Sequence, residues 1–114
     1  MAHGYVPERG DLVWLQFDPQ LGSEQPGRRP ALVISPGSYN RTVGLALVCP
    51  VTSRVKGYPF EVPLPDGLEV QGAVLCDRLK SLDWRSRSAT RIGTVSDDVM
   101  RDATARILAL ADPD

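Results

Sequence analysis

Ten prolines and ten glycines break this 114-residue chain into short pieces, and that punctuation limits its fold more than any other feature. Proline brings no N–H to a helix interior or a central strand, and glycine weakens both. What lies between the breaks is a series of short apolar runs. The pattern predicts a β-rich α+β chain: a compact barrel of short antiparallel strands joined by turns, with one helix packed on it. The length predicts a single domain over residues 1–114.

The runs can be placed. Asp11–Phe17 reads as a strand, followed by a polar loop with two prolines over Asp18–Arg29. Such a long loop in a small domain is usually functional. Ala31–Ser35 and Leu45–Val51 are continuous apolar runs and so buried strands, with Pro50 placing the end of the second at an edge or bulge. Phe60–Leu64 is a short strand before the Pro65-Asp66-Gly67 turn, and Ala73–Leu82 opens as another strand. Ser96–Ala111 reads as a helix capped by Ser96, with Asp97 and Asp98 at its positive end. Val99, Ala103, Ile107 and Leu110 recur at helical spacing, with Met100 and Leu108 beside them, and predict the buried stripe.

Several chemistries are excluded early. His3 is the only histidine, so a two-histidine ribonuclease site, a Ser-His-Asp triad and a histidine-bearing zinc site are all unsupported. Cys49 and Cys76 are far apart in sequence and read as partly buried thiols of a reducing compartment. No apolar run spans a bilayer and no signal pattern opens the chain, which predicts a cytoplasmic protein with no membrane partner. The net charge of -1 hides an asymmetry: residues 28–91 hold ten of the 13 basic residues but only five of the 14 acidic ones. A basic middle between acidic ends predicts one positive surface.

The segment Gly22-Ser23-Glu24-Gln25-Pro26-Gly27-Arg28-Arg29-Pro30 concentrates groups that a core does not need. Arg29 precedes Pro30, which favours an extended backbone and holds it at the start of a strand. A rigid guanidinium fork grips two phosphate oxygens. Cleavage of RNA by its own 2′-hydroxyl needs removal of one proton, stabilisation of charge on phosphorus and protonation of the leaving 5′-oxygen. Positioning and electrostatics can supply much of this without a metal. Glu24, Arg29 and Thr52 meet those needs. Trp14 and Trp84 could each stack on bases; Trp14, in an apolar strand, reads better as core, and Trp84, among charged residues, suits either packing or an interface.

Gly10-Asp11-Leu12-Val13-Trp14, the Gly22-Ser23-Glu24-Gln25 element with Arg29-Pro30, Thr52, the Lys56-Gly57-Tyr58-Pro59-Phe60-Glu61-Val62 run, Lys80-Ser81 and Gly93-Thr94-Val95 together resemble the MazF family of toxins, from about Tyr5 to the last helix. The resemblance implies a dimer of compact, SH3-like β-barrels that cuts single-stranded RNA at short sequence motifs, leaving a 2′,3′-cyclic phosphate and a 5′-hydroxyl. It implies inhibition by a MazE-like antitoxin with a disordered acidic tail, and no cofactor. It implies that Arg29 and Thr52 are the main catalytic groups, with Glu24 beside them. Substrate contacts are expected from Ser23, Gln25, Arg28, Lys56, Arg78, Lys80, Arg85 and Arg87, with Arg91 extending the phosphate track. Many relatives carry an amide where Arg78 stands, which bears on base preference. The alternatives are a plain RNA-binding domain and a gyrase poison resembling CcdB. The latter relies on an aromatic C-terminal tip, whereas this chain ends Leu110-Ala111-Asp112-Pro113-Asp114.

Overall fold

The computed structural model describes residues 4–17 and 27–112. Seven strands form one antiparallel sheet: β1 (Asp11–Gln16), β2 (Arg28–Val33), β3 (Leu45–Thr52), β4 (Glu61–Pro63), β5 (Ala73–Leu75), β6 (Lys80–Asp83) and β7 (Thr90–Thr94). Their order is β4-β5-β3-β2-β1-β7, and β6 also pairs with β3. Two helices complete the chain, α1 (Gly37–Val43) and α2 (Asp97–Ala111).

β3 organises the sheet. One of its edges meets β2, through Ala31 opposite Pro50 and Val33 opposite Val48. The other edge is divided between two strands. β6 pairs with Leu45 to Val48, and β5 with Val51 and Thr52. Pro50, with no N–H to offer, falls in the gap between them. The single strand expected over Ala73–Leu82 is therefore broken. A 3₁₀ turn at Cys76–Arg78 steps the chain from β5 to β6. Pro50 does not end β3, which runs on through Thr52.

Strand alternation divides the core in two. One face carries Leu12, Leu32, Cys49, Val51 and Val74, and α2 lies over it through Val99, Met100 and Ala103. The opposite face carries Val13, Leu15, Ala31, Val33, Ala46 and Val48, closed by Trp84 with Tyr5 and Val6. The α2 start is as expected: the Ser96 hydroxyl accepts from the Val99 amide at 3.3 Å. The stripe is shorter than expected. Ile107 is half-buried, but Leu108 and Leu110 are 57% and 48% exposed. Cys49 and Cys76 are free and fully buried.

At the aromatic positions one open choice is settled and one expectation needs correcting. Trp84 is core: it is buried, and its indole N–H donates to the Asn40 carbonyl at 3.0 Å. Trp14 is only half-buried, and the Arg28 guanidinium stacks 4.9 Å from its ring centroid. Its neighbours Leu12 and Leu32 are sealed, but Trp14 pairs with Pro30 nearer the open end of the sheet.

Helix α1 was not foreseen. Its segment is polar, and only Pro36 before it and Gly44 after it bracket it. Gly44 closes the helix at φ +85°, a conformation that favours glycine, and its N–H donates to Asn40 O. Asn40 is fully buried. Its amide donates to the carbonyls of Pro7 (2.7 Å) and Ser35 (3.1 Å), and its Oδ1 accepts from the Ser35 hydroxyl (2.6 Å). Truncation orphans all three partners. Asn40→Ala is expected to destabilise the protein by about 2–4 kcal/mol in a denaturant titration. A loss under half a kcal/mol would show that the network carries no weight.

Candidate active site

The site follows from the register. On the second face, Val13, Leu15, Ala31, Val33 and Val48 are core. Continued toward the open end of the sheet, the same alternation presents Phe17, Arg29, Pro50 and Thr52. Leu15 pairs with Arg29 and Ala31 pairs with Pro50. Two further residues along, Arg29 and Thr52 reach the same end of the same face. There the apolar face gives way to a cavity of about 470 Å³ that both side chains line.

Five cations border this cavity: Arg29, Arg54, Lys56, Arg78 and Lys80. None of the five is in an ion pair among the described residues. The Lys80 ammonium lies 5.6 Å from the Phe17 ring centroid, which gives it an apolar support. Glu61 is the single carboxylate in the lining, and it is turned inward. It is buried and accepts from the backbone amides of Lys56 (3.0 Å) and Gly57 (2.7 Å). It thus braces the loop that carries Arg54 and Lys56. Tyr58, also in the lining, donates its hydroxyl to Asp77 at 3.0 Å. That hydrogen bond is the main cause of a phenol pKa held above its usual value. Asp77 is thereby tied down beside Arg78.

Thr52 is oriented for donation. Its hydroxyl oxygen accepts from the Arg54 amide at 3.0 Å, which leaves the hydroxyl proton free to point at an anion. Arg29 approaches from β2 and Arg54 from the loop after Thr52. An oxyanion in the cavity would meet two guanidinium forks and one hydroxyl.

Of the substrate-contacting residues expected from the sequence, Lys56, Arg78 and Lys80 line the cavity with Arg29 and Thr52. Ser23, Glu24 and Gln25 lie outside the described residues. The loop that holds them leaves and rejoins the sheet beside the cavity, where the Phe17 amide donates to Gly27 O at 3.1 Å. Arg28 stacks on Trp14 instead. Arg87 spends its guanidinium on the carbonyls of Gln16 and Phe17, both at 2.9 Å, and so fastens that neck. Arg85 lies over Trp84 at 4.8 Å, beside a different cavity. Arg91 pairs with the buried Asp11 at 3.6 Å. Sequence reasoning missed Arg54, Phe17 and the bracing role of Glu61. A lone arginine in a loop usually reads as a solvated one, and only its position two residues after Thr52 could have drawn attention.

Glu61→Ala is expected to cost about 2 kcal/mol, since it removes the carboxylate that accepts from two backbone amides. It should also weaken ligand binding in the cavity severalfold by loosening Arg54 and Lys56. Unchanged stability and binding would show that the loop holds itself.

Comparison with known proteins gives the family. The chain is 49% identical over 110 residues to the endoribonuclease toxin MazF of Escherichia coli K12, covering 96% of this chain and 98% of that one. It is 38% identical to the endoribonuclease toxin ChpB of the same strain, covering 92% and 94%. The crystal structure of MazF from Deinococcus radiodurans superposes with a TM-score of 0.87 at 55% identity, covering 95% and 98%. A MazE-MazF crystal structure from that organism matches with a TM-score of 0.86 at 50% identity, covering 95% of this chain and 97% of that chain. The family model of PemK-like, MazF-like toxins of type II toxin-antitoxin systems matches residues 8–111. With the sheet, the cationic cavity and these likenesses in agreement, the chain belongs to the PemK-like, MazF-like family of type II toxins.

Proposed function

We propose that this toxin is an endoribonuclease that cuts single-stranded RNA without a metal, and that the cavity at Arg29 and Thr52 is where it cuts. One observation carries the reading: two strands deliver a guanidinium and a donor hydroxyl to one cavity bordered by three further arginine or lysine chains and by Lys80. That arrangement suits a polyanion whose charge grows during reaction.

The chemistry balances within the substrate. The 2′-oxygen bonds to phosphorus, the bond from phosphorus to the 5′-oxygen breaks, and the products are a 2′,3′-cyclic phosphate and a 5′-hydroxyl. One proton leaves the 2′-hydroxyl, and the Arg29 guanidinium or a water gives one to the departing 5′-oxygen. Arg29 and Arg54 stabilise the equatorial oxygens of the phosphorane, and Thr52 donates its free proton to one of them. Glu24, in the loop that rejoins the sheet at Gly27, takes the 2′-proton or positions the substrate. An arginine is a poor base, since its guanidinium hardly ever gives up a proton.

The same positive cavity suits the acidic tail of a MazE-like antitoxin, which would inhibit by occupying the RNA site. The protein acts as a homodimer in the cytoplasm on this reading. Among the described residues no helix is long and apolar enough to cross a membrane.

The test is incubation with a long RNA in EDTA, followed by mapping of the new ends. Cuts that persist with chelator and leave 5′-hydroxyl and cyclic phosphate ends are expected. RNA that stays intact while bound would favour a non-catalytic module. Cutting that stops on chelation would place the protein in another nuclease class.

A further inference from the structure

Arg29, Val51, Thr52 and Arg54 border a second cavity as well as the first. They form a ridge where the two faces of the sheet meet at the open ends of β2 and β3. Beyond the ridge the second cavity, about 780 Å³, adds Trp14, Glu69 and Gln71 to those residues. It shares Arg29 and Arg54 with the first but lacks Lys56, Arg78 and Lys80, and it has Trp14, Glu69 and Gln71 in their place.

Trp14 is half-buried and lines this cavity, with the Arg28 guanidinium 4.9 Å from its ring centroid; aromatic rings and guanidinium planes are surfaces on which an unstacked base settles. Glu69 is exposed and its carboxylate can only accept. Gln71 is fixed by its own neighbour, because its amide N–H donates to the Leu68 carbonyl at 2.7 Å. That bond leaves its Oε1 as the unassigned acceptor. A carboxylate is a poor neighbour for a phosphate. It is a good one for the N–H groups on a base edge.

We propose that this second cavity is a nucleotide subsite next to the scissile phosphate. In it a base with an exocyclic amino group stacks on Trp14 and donates to Glu69 and Gln71. Adenine, cytosine and guanine satisfy two acceptors better than uracil, whose one edge N–H stands between two carbonyl oxygens. The RNA then crosses the Arg29–Thr52 ridge with its reacting phosphate on top and one base on either side. This inference rests on the nuclease reading above and adds to it a position of sequence preference.

The experiment uses an RNA pool randomised around the cut, with the ends sequenced for the wild type and for the double variant E69A/Q71A. Both side chains are exposed, so the fold does not depend on them. The wild type should disfavour uracil at one position adjacent to the cut by about tenfold or more. The variant should lose that preference at that position alone. Trp14→Ala should weaken cutting of every sequence, and Trp14→Phe should restore much of it, since stacking tolerates the smaller ring. Identical preferences in wild type and double variant would overturn the subsite while leaving the nuclease intact. A wild type that binds RNA but makes no cut would remove the nuclease reading itself, and the subsite with it.

Discussion

Arg29→Ala is expected to reduce RNA cleavage by at least about a thousandfold while leaving the protein folded. Removal of a single charge-stabilising donor aimed at a transition state costs about 10²–10³ in rate in other hydrolases, and Arg29 is charged and two-pronged. Its side chain is exposed and makes no ion pair among the described residues, so the fold loses little with it. Arg29→Lys is expected to recover only a small part of the rate. An ammonium supplies charge but not the planar pair of N–H bonds. Initial rates on a short RNA, with unfolding midpoints for each variant, decide the matter. Wild-type rates in Arg29→Ala would remove this residue from the chemistry. A large drop in the midpoint would mean that it serves the fold.

The second large effect is expected at a residue that contributes no side chain. Gly72 sits just before β5 with φ +124°, a backbone conformation that L side chains rarely adopt. A Cβ added there would lie 2.0 Å from the carbonyl oxygen of Thr52 and 2.9 Å from its carbonyl carbon. Neither contact can be relieved by a flexible side chain, because both are backbone. The end of β3 must move, or β5 must part from it. Gly72→Ala is therefore expected to cost about 3 kcal/mol or more, from strain and the lost pairing of Thr52 with Ala73 together. Cleavage should fall further than stability alone explains, because the displaced residue is Thr52. Assays well below the unfolding transition separate the two. Full activity there would mean that the strand end yields without moving the hydroxyl.

The sequence exposed the strands whose apolar runs are long and continuous, such as Leu45–Thr52, and the capped helix after Ser96. It exposed Arg29, because Pro30 fixes the backbone before it, and Thr52, because it ends a buried run. β7 was not legible: Thr90–Thr94 alternates weakly and holds a glycine. α1 was not legible because its one buried polar side chain, Asn40, looks like a loop residue until its three partners are known. The half-buried Trp14 departs from its expected core place for a related reason. Alternation assigns Trp14 a face of the sheet, but not how far the core extends along that face. The cationic track was read too broadly. Arg85, Arg87 and Arg91 share the local charge excess, but the fold spends them on a ring, two carbonyls and a buried carboxylate.

β3 joins β2 on one side and both β5 and β6 on the other, so the cavity walls come from segments that are made at very different times. When β3 has been synthesised, Arg78 and Lys80 are still unmade and β5 does not yet hold the strand end in place. The cavity therefore takes shape only after the C-terminal half of the chain has been made.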